Sequence, residues 1–250
     1  MKINLYHRKI LGCIQERLNP GSLVLDAGCG AGAMTSLLAK AGYRVVGADR
    51  VKSSEMQQLA LNKPNVDYLQ MELSQDSFPF FEQSFDAVVL LEVFEHLANP
   101  WAFLKAVAEI IGNQGWLFLS MPNYWNLKYR MRYLLTGNIQ QPFPSSQEML
   151  DKLRHGPLPH VNTMPWPVLK KGLEANGFAI DLNPFPEKIY PLLRNLPYYP
   201  LLSCIWSSHL FSSQKRKAKY KTRETNTYPL LMGGPHALVV ACKEPQRIND

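Results

Sequence analysis

Cysteine is scarce in this sequence, and the four cysteines show neither paired metal-ligand spacing nor a dense disulfide pattern. Their spacing argues against a cysteine-based metal centre and a disulfide-stapled fold, and it favours a reducing, cytoplasmic setting. Long hydrophobic runs are missing as well, since no apolar stretch approaches the ~20 residues that cross a bilayer. Charged residues interrupt the apolar N-terminus, so we expect an amphipathic helix there and not a signal peptide.

Acidic residues are sparse in the second half of the chain. Residues 1–123 carry ten Lys or Arg against twelve Asp or Glu, whereas residues 124–250 carry seventeen against eight, so the net charge of +7 belongs to the second half. Proline shows the same division, with five residues before position 124 and fourteen after it. We interpret the first half as a scaffold and the second as a substrate-facing elaboration of a single domain, residues 1–250.

The most informative stretch is Leu23 to Ala33, LVLDAGCGAGA, in which a short apolar strand is followed by three alternating glycines. Glycine tolerates positive φ and has no Cβ, so a ligand can lie against the main chain where a strand turns into a helix. The turn is therefore predicted to bind a small molecule through Gly28, Gly30 and Gly32.

Two cofactor classes use such a turn. Gly28, Gly30 and Ala33 also satisfy the looser G-x-G-x-x-A dinucleotide pattern, so the glycines alone discriminate poorly. Asp26 discriminates better, because a carboxylate two residues before the first glycine would repel a pyrophosphate at the helix N-terminus. It suits a ligand that carries a cationic amino group.

Short apolar strands alternate with helical patterns as far as residue 123, which predicts a parallel α/β sheet. Asp49 ends the second strand, twenty-one residues after Gly28. At that spacing an acidic side chain can accept hydrogen bonds from both hydroxyls of a ribose. The alternative is a loop aspartate that caps the next helix, near Ser53 or Ser54.

A second motif follows the fourth strand, where Phe85 to Leu91 runs into Glu92-Val93-Phe94-Glu95-His96-Leu97. Together with the glycine turn, this E-x-x-E-H-L segment resembles the class I S-adenosylmethionine-dependent methyltransferases of the small-molecule type, which includes quinone-biosynthesis O-methyltransferases. The Asn/Asp-Pro-Pro-aromatic motif of base N-methyltransferases is lacking, which lowers the expectation of a nucleic-acid substrate. His96 is interpreted as a packed, hydrogen-bonded side chain in preference to a general base.

The resemblance implies S-adenosyl-L-methionine as the cofactor and assigns its contacts. Asp26 and the three glycines would hold the aminocarboxypropyl end, Asp49 would bind the ribose, and Glu92 would line the floor beneath the sulfonium. The remaining assignments are Arg50 in the cofactor site and Glu72 and Leu73 beside the adenine. Aspartate is commoner than glutamate at the position of Glu72, so an exposed loop glutamate remains the alternative. No metal site is indicated.

Residues 124–164 are aromatic, basic and rich in proline, and they are predicted to form an acceptor-side insertion. Near its end lies the sequence Leu158-Pro159-His160-Val161-Asn162. The resemblance places His160 near the methyl group, where a histidine could take the acceptor's proton. A loop histidine bonded to backbone is the alternative.

A second insertion, residues 185–230, separates the predicted sixth and seventh strands. It contains an amphipathic helical pattern and then six cations between Lys215 and Arg223. Three interpretations of the segment 195–223 compete: a lid or homodimer contact, a peripheral membrane contact, and a nucleic-acid patch, in that order.

The sequence therefore predicts a Rossmann-like, seven-stranded, mostly parallel sheet with helices on both faces, and the resemblance implies that strand seven is antiparallel. The expected function is methyl transfer to a small, hydrophobic or phenolic acceptor, with O-methylation favoured. The alternatives are an NAD(P)-binding oxidoreductase and a cofactor-binding module without catalysis. The expected location is the cytoplasm, with peripheral attachment to the membrane left open.

Overall fold

The structure is a computed structural model that describes residues 3–51, 53–73, 78–137, 160, 162–186, 189, 228–231 and 233–245. Seven strands form one sheet in the order β3-β2-β1-β4-β5-β7-β6. The strands are β1 Leu23–Ala27, β2 Arg44–Asp49, β3 Val66–Gln70, β4 Phe85–Leu91, β5 Ile111–Pro122, β6 Phe178–Pro186 and β7 His236–Lys243. The helices are α1 Leu5–Gln15, α2 Ala33–Lys40, α3 Ser54–Asn62, α4 Pro100–Ile110, α5 Leu127–Thr136, α6 Trp166–Ala175 and α7 Tyr228–Leu231.

The first five strands are parallel, whereas β7 pairs antiparallel with both β5 and β6. This arrangement confirms the predicted seven-stranded, mostly parallel sheet and its antiparallel seventh strand. The strand order reverses between β1 and β4, and a ligand of an open α/β sheet binds in the crevice beyond the carboxyl ends of the strands at such a switch point. Both sequence motifs follow strands that end there.

Two apolar cores cover the two faces of the sheet. One packs α1, α2 and Met56 of α3 against side chains such as Val24 and Val89. The other packs α4 and α6 against side chains such as Val88 and Leu117. Successive residues of β4 alternate between these cores, as a strand buried on both faces requires. The scaffold therefore holds the ends of β1 and β4 rigidly.

Several predicted boundaries differ from the structure. The apolar spacing of residues 4–18 predicts a helix that ends at the stop in residues 19–21. Instead α1 ends at Gln15, and beyond it the Arg17 N–H bonds to the Ile14 carbonyl in a tighter turn. The sequence predicts a turn at residues 112–115 and a fifth strand from Trp116. The strand β5 begins at Ile111 instead: Phe85 pairs with Ile111 and Ala87 with Trp116, so the segment 112–115 is a bulge inside the strand. Gln114 takes a positive φ of 64° there.

The acceptor-side insertion begins with a helix, at the point where the sequence predicts that the regular alternation of strands and helices ends. Asn126 caps α5 by accepting a hydrogen bond from the Tyr129 N–H, and Gly137 ends that helix in the left-handed region. Residues 138–159 and 161 of the predicted insertion, and the segment 195–223, lie outside the described residues. In the part of the chain that is described, no helix is long and apolar enough to span a membrane.

Candidate active site

The glycine turn joins β1 to α2 beneath the switch point. Gly28, Gly30 and Gly32 all have positive φ, at 78°, 51° and 79°. The turn is tied to the neighbouring strand, since the N–H groups of Gly28 and Cys29 donate to the Ala48 carbonyl at 2.7 and 3.1 Å. The predicted backbone need for glycine is therefore present at all three positions.

The three glycines differ in what surrounds them. A Cβ on Gly28 would lie 2.2 Å from Val93 Cγ2, and one on Gly32 would lie 2.3 Å from Met56 Sδ. Nothing lies within 4 Å of a Cβ on Gly30, which is exposed. Gly28 and Gly32 thus allow close packing within the protein, whereas Gly30 borders open space that a ligand can enter.

This difference predicts opposite effects of two alanine substitutions. Gly30→Ala should cost only about 1 kcal/mol of stability, from the left-handed backbone, but should weaken binding of S-adenosylhomocysteine, the demethylated cofactor, by at least about tenfold. Gly32→Ala should cost about 2–3 kcal/mol of stability, because Met56 has to move. Urea unfolding and calorimetry measure the two effects. If Gly30→Ala and Gly32→Ala lost the same affinity and the same stability, the assignment would be contradicted.

Asp26 does not face open space. Its carboxylate is 2% exposed and accepts a hydrogen bond from the Thr35 Oγ1 hydroxyl at 2.5 Å. Burial raises its pKa to about 6, while hydrogen bonds from the Thr35 side chain and backbone act in the opposite direction. Asp26 therefore fastens the first turn of α2, whose N-cap is the side-chain-free Gly32. Its contact with a cofactor stays a prediction.

Asp49 lies at the edge of the glycine turn. Its Oδ2 accepts a hydrogen bond from the Gly30 N–H at 2.9 Å, and its Oδ1 accepts one from the Val51 N–H at 2.9 Å. The cap of α3 is Ser53, whose hydroxyl accepts from the Met56 N–H, so Asp49 does not serve as that cap. Two backbone donors fix the carboxylate and leave further lone pairs on each oxygen for ligand hydroxyls.

The other predicted cofactor residues follow β2 and β3. Arg50 is half-buried, and its carbonyl accepts a hydrogen bond from Gln70 Nε2. Glu72 is exposed, whereas Leu73 is 5% exposed and packs in the apolar core. The Met71 N–H donates to the Asp49 carbonyl at 2.9 Å, which joins this segment to the end of β2. The adenine contacts stay predictions.

Glu92 has a backbone that few non-glycine residues adopt, with φ at 55°. Its N–H donates to the Ser120 carbonyl at 3.1 Å, and its Oε1 accepts from the Ser120 hydroxyl at 2.6 Å. Its Oε2 lies 2.7 Å from Nδ1 of His236. The strained residue therefore links the ends of β4, β5 and β7.

Glu95, His96 and His160 form a second group beside Glu92. Glu95 is 1% exposed, and its Oε2 has no hydrogen-bond partner among the described residues. Burial, and then the charge of Glu92, raises the pKa of Glu95 to about 8. The rings of His96 and His160 meet edge to face, with centroids 4.7 Å apart.

His160 is held beside Glu95 by a side-chain contact with Tyr124 and by a main-chain hydrogen bond two residues later in the chain. Its Nδ1 lies 2.9 Å from the Tyr124 hydroxyl, and its Nε2 lies 3.9 Å from Glu95 Oε1. The following Asn162 N–H donates to the Glu95 carbonyl at 3.0 Å. Burial, and then the charge of His96, lowers the pKa of His160, so the ring is neutral near pH 7.

The sequence indicated no metal site, but the fold brings three potential ligands together. One ligand atom from each of Glu95, His96 and His160 lies within 4.8 Å of the others. A carboxylate and two imidazoles could hold a divalent cation. Edge-to-face packing of the two rings beside the buried carboxyl group, with each Nε2 at 3.8 or 3.9 Å from Glu95 Oε1, is an alternative reason for the same arrangement.

Two residues of this site escaped the sequence analysis, namely Tyr124 and His236. The sequence predicts Tyr124 only as part of an aromatic insertion and His236 only as the first residue of the seventh strand. The antiparallel direction of β7 could have predicted the position of His236, because it brings the first residue of β7 to the edge of the sheet where β5 ends. Pro122 indeed pairs with His236.

The fold and this site define a Rossmann-like α/β protein with a ligand site at its switch point. A family model described as a methyltransferase domain matches residues 4–182. Because this match covers more than half of the 250 residues, the chain belongs to the methyltransferase domain family. The match confirms the class I S-adenosylmethionine-dependent methyltransferase family inferred from the two motifs.

Curated relatives agree with the family. The ubiquinone biosynthesis O-methyltransferase of Albidiferax ferrireducens is 32% identical over 108 residues, which cover 41% of this chain and 42% of that protein. The mitochondrial ubiquinone biosynthesis O-methyltransferase of Dictyostelium discoideum is 35% identical over 140 residues, or 51% of this chain and 44% of that protein. The matches thus span less than half the length of these relatives.

A solved structure supports the fold. The 1,6-didemethyltoxoflavin-N1-methyltransferase of Burkholderia thailandensis aligns with a TM-score of 0.57 and 15% identity, over 96% of this chain and 79% of the other. At this identity the likeness concerns the fold alone. It confirms the Rossmann-like methyltransferase architecture.

Proposed function

We propose that this protein transfers a methyl group from S-adenosylmethionine to a hydroxyl of a small, hydrophobic or phenolic acceptor. The observation that carries the proposal is the exposed backbone of Gly30 beside the fixed carboxylate of Asp49, at the switch point of a methyltransferase-family sheet. When bound, S-adenosylmethionine supplies a methyl group activated by its sulfonium. The chain's own residues then bind the cofactor and the acceptor, orient them and remove a proton from the acceptor.

The cofactor fits the polar and open features of the site. Gly30 offers a main-chain surface with no side chain, and Asp49 offers carboxylate oxygens for the two ribose hydroxyls. Arg50, Glu72 and Leu73 follow the adjacent strands and would flank the nucleoside. Asp26 supports the turn from within through Thr35, and Glu92 would line the floor beneath the sulfonium.

The acceptor would bind beside Glu95, Tyr124 and His160. The buried Glu95 Oε2 has no partner among the described residues, so an acceptor hydroxyl there would satisfy it. Aromatic rings of Tyr124 and Tyr129 pack edge to face at 5.6 Å and give the site an apolar wall. The names of the curated relatives, which are O-methyltransferases, support oxygen as the methylated atom.

His160 is the proton acceptor that the sequence predicts. Its lowered pKa keeps the imidazole neutral, so the ring can accept a hydrogen bond from the acceptor's hydroxyl, and its role as the base stays a prediction. A cytoplasmic location and a membrane or homodimer contact through 195–223 stay predictions.

Calorimetry and a transfer assay test the proposal. We expect S-adenosylhomocysteine to bind and NADH not to bind, and we expect radiolabelled methyl to pass from S-adenosylmethionine to catechol. Binding of NADH without S-adenosylhomocysteine would refute the proposal in favour of an oxidoreductase. Binding of S-adenosylhomocysteine without transfer to any component of a cell extract would instead indicate a binding module.

A further inference from the structure

His236 begins β7, and contacts from the end of β4 and from α1 hold its side chain. Its Nδ1 lies 2.7 Å from Glu92 Oε2 at the end of β4. Its ring stacks on Tyr6 of α1, with centroids 5.6 Å apart and planes at 24°. Ser120 of β5 acts indirectly, by donating to the other oxygen of Glu92 at 2.6 Å. Both the position and the plane of the imidazole are therefore set by the fold.

The carboxylate determines which nitrogen of His236 carries the proton. An ionised carboxylate only accepts hydrogen bonds, so Nδ1 of His236 is the donor to Glu92. In the neutral ring Nε2 then carries the lone pair. A carboxylate that fixes one nitrogen of a histidine and leaves the other basic is the arrangement that general-base catalysis needs.

The exposure of these groups suits a reaction with a bound molecule. The side chains of His236 and Glu92 are 35% and 30% exposed, whereas Asp26 and Glu95 are 2% and 1% exposed. Burial and the charge of His96 lower the pKa of His160, and the charge of His236 acts in the same direction. Glu92 and Tyr6 are among the titratable groups that contact His236.

The backbone of Glu92 gives independent support. A non-glycine residue in the left-handed region costs about 1–2 kcal/mol, and such strain concentrates at functional sites. Here the N–H and both carboxylate oxygens of the strained residue have partners, and two of these three bonds go to Ser120. The strain aims the carboxylate at His236.

We propose that His236, oriented by Glu92, is the general base that removes the acceptor's hydroxyl proton. This inference rests on the proposed function. As the acceptor oxygen forms its bond to the methyl carbon, the carbon–sulfur bond breaks and its electron pair returns to sulfur. The hydroxyl proton passes to Nε2 of His236. His160, held by Tyr124, then orients the acceptor.

The test compares two acceptors with His236→Gln and the matched control His160→Gln. Catechol is protonated near neutral pH and needs a base, whereas the nitro group of 4-nitrocatechol lowers its hydroxyl pKa and largely supplies the ionised form. For His236→Gln we expect kcat/KM for catechol to fall about 10²–10⁴-fold. The loss for 4-nitrocatechol should be under about tenfold, with the affinity for S-adenosylhomocysteine unchanged.

A pH profile adds a measurement that would not change if His236 had only a structural role. Wild-type kcat should rise and level off as His236 loses its proton, whereas the rate of His236→Gln should keep rising with pH until catechol itself ionises. The inference would be overturned if His236→Gln lost kcat/KM equally for both acceptors. It would also be overturned if His160→Gln lost much more kcat/KM for catechol than for 4-nitrocatechol. Transfer to neither acceptor by wild-type protein that binds S-adenosylhomocysteine would refute the phenolic acceptor itself.

Discussion

Asp49→Ala is expected to weaken the binding of S-adenosylhomocysteine by at least about 100-fold in calorimetry. The ribose would lose two hydrogen bonds to a charged group, each worth about 1.5–3 kcal/mol. The substitution also removes the acceptor of the Gly30 and Val51 N–H groups, so the turn keeps only its bonds from Gly28 and Cys29 to the Ala48 carbonyl of β2. Asp49→Asn, which keeps one oxygen acceptor, should show an intermediate loss.

Asp67→Ala is the matched control for Asp49, because it removes an exposed carboxylate from the neighbouring strand β3. Its affinity should stay within about twofold of wild type, since exposed charges contribute little. Thermal melts without ligand separate loss of binding from loss of fold. Equal affinities for wild type and Asp49→Ala would eliminate the ribose assignment.

Glu95→Gln is expected to become more stable relative to wild type as the pH rises. The pKa of Glu95 is about 8 in the folded protein, against an ordinary value of 4.5. Between these values the folded state holds one proton more than the unfolded state, so the wild-type free energy of unfolding falls with pH by about 1.4 kcal/mol per unit. Below about pH 4.5 this penalty is absent.

Urea unfolding at pH 5.5, 6.5 and 7.5 measures this effect as a difference between the two proteins. The other titrating groups, including Asp26, cancel to a first approximation in that difference. Glu109→Gln, at an exposed position of α4, should run parallel to wild type. A Glu95→Gln curve that also runs parallel to wild type would show that Glu95 ionises normally in the folded state.

The sequence was most informative where function is carried by local backbone geometry. Alternating glycines after a short apolar strand predict a ligand turn from five residues of chain, and the structure has positive φ at each of the three. Asp49 was found in the same way, because the length of one β-α-β unit brings the ends of β1 and β2 together. Local patterns did not distinguish the three glycines, since the neighbours Val93 and Met56 arrive from distant segments.

The orientation of the Asp26 side chain could not be predicted from the sequence. Its carboxylate selected the cofactor class from sequence, yet in the fold it bonds to Thr35 within α2 and faces the protein interior. Whether a side chain points at a ligand or at its own helix depends on the turn of the backbone around it. A pattern of residue types does not contain that orientation.

By itself, then, the sequence determined the sheet and the glycine turn, because these depend on periodicity and on residues close together in the chain, and the resemblance of two local motifs indicated the family. The tertiary structure alone decided which side chains meet at the proposed acceptor site. Glu92 and His236 are 144 positions apart, and Tyr124 and His160 are 36 positions apart. Only the antiparallel return of β7 beside β5, and the main-chain bond from Asn162 to Glu95, bring them to one edge of the sheet.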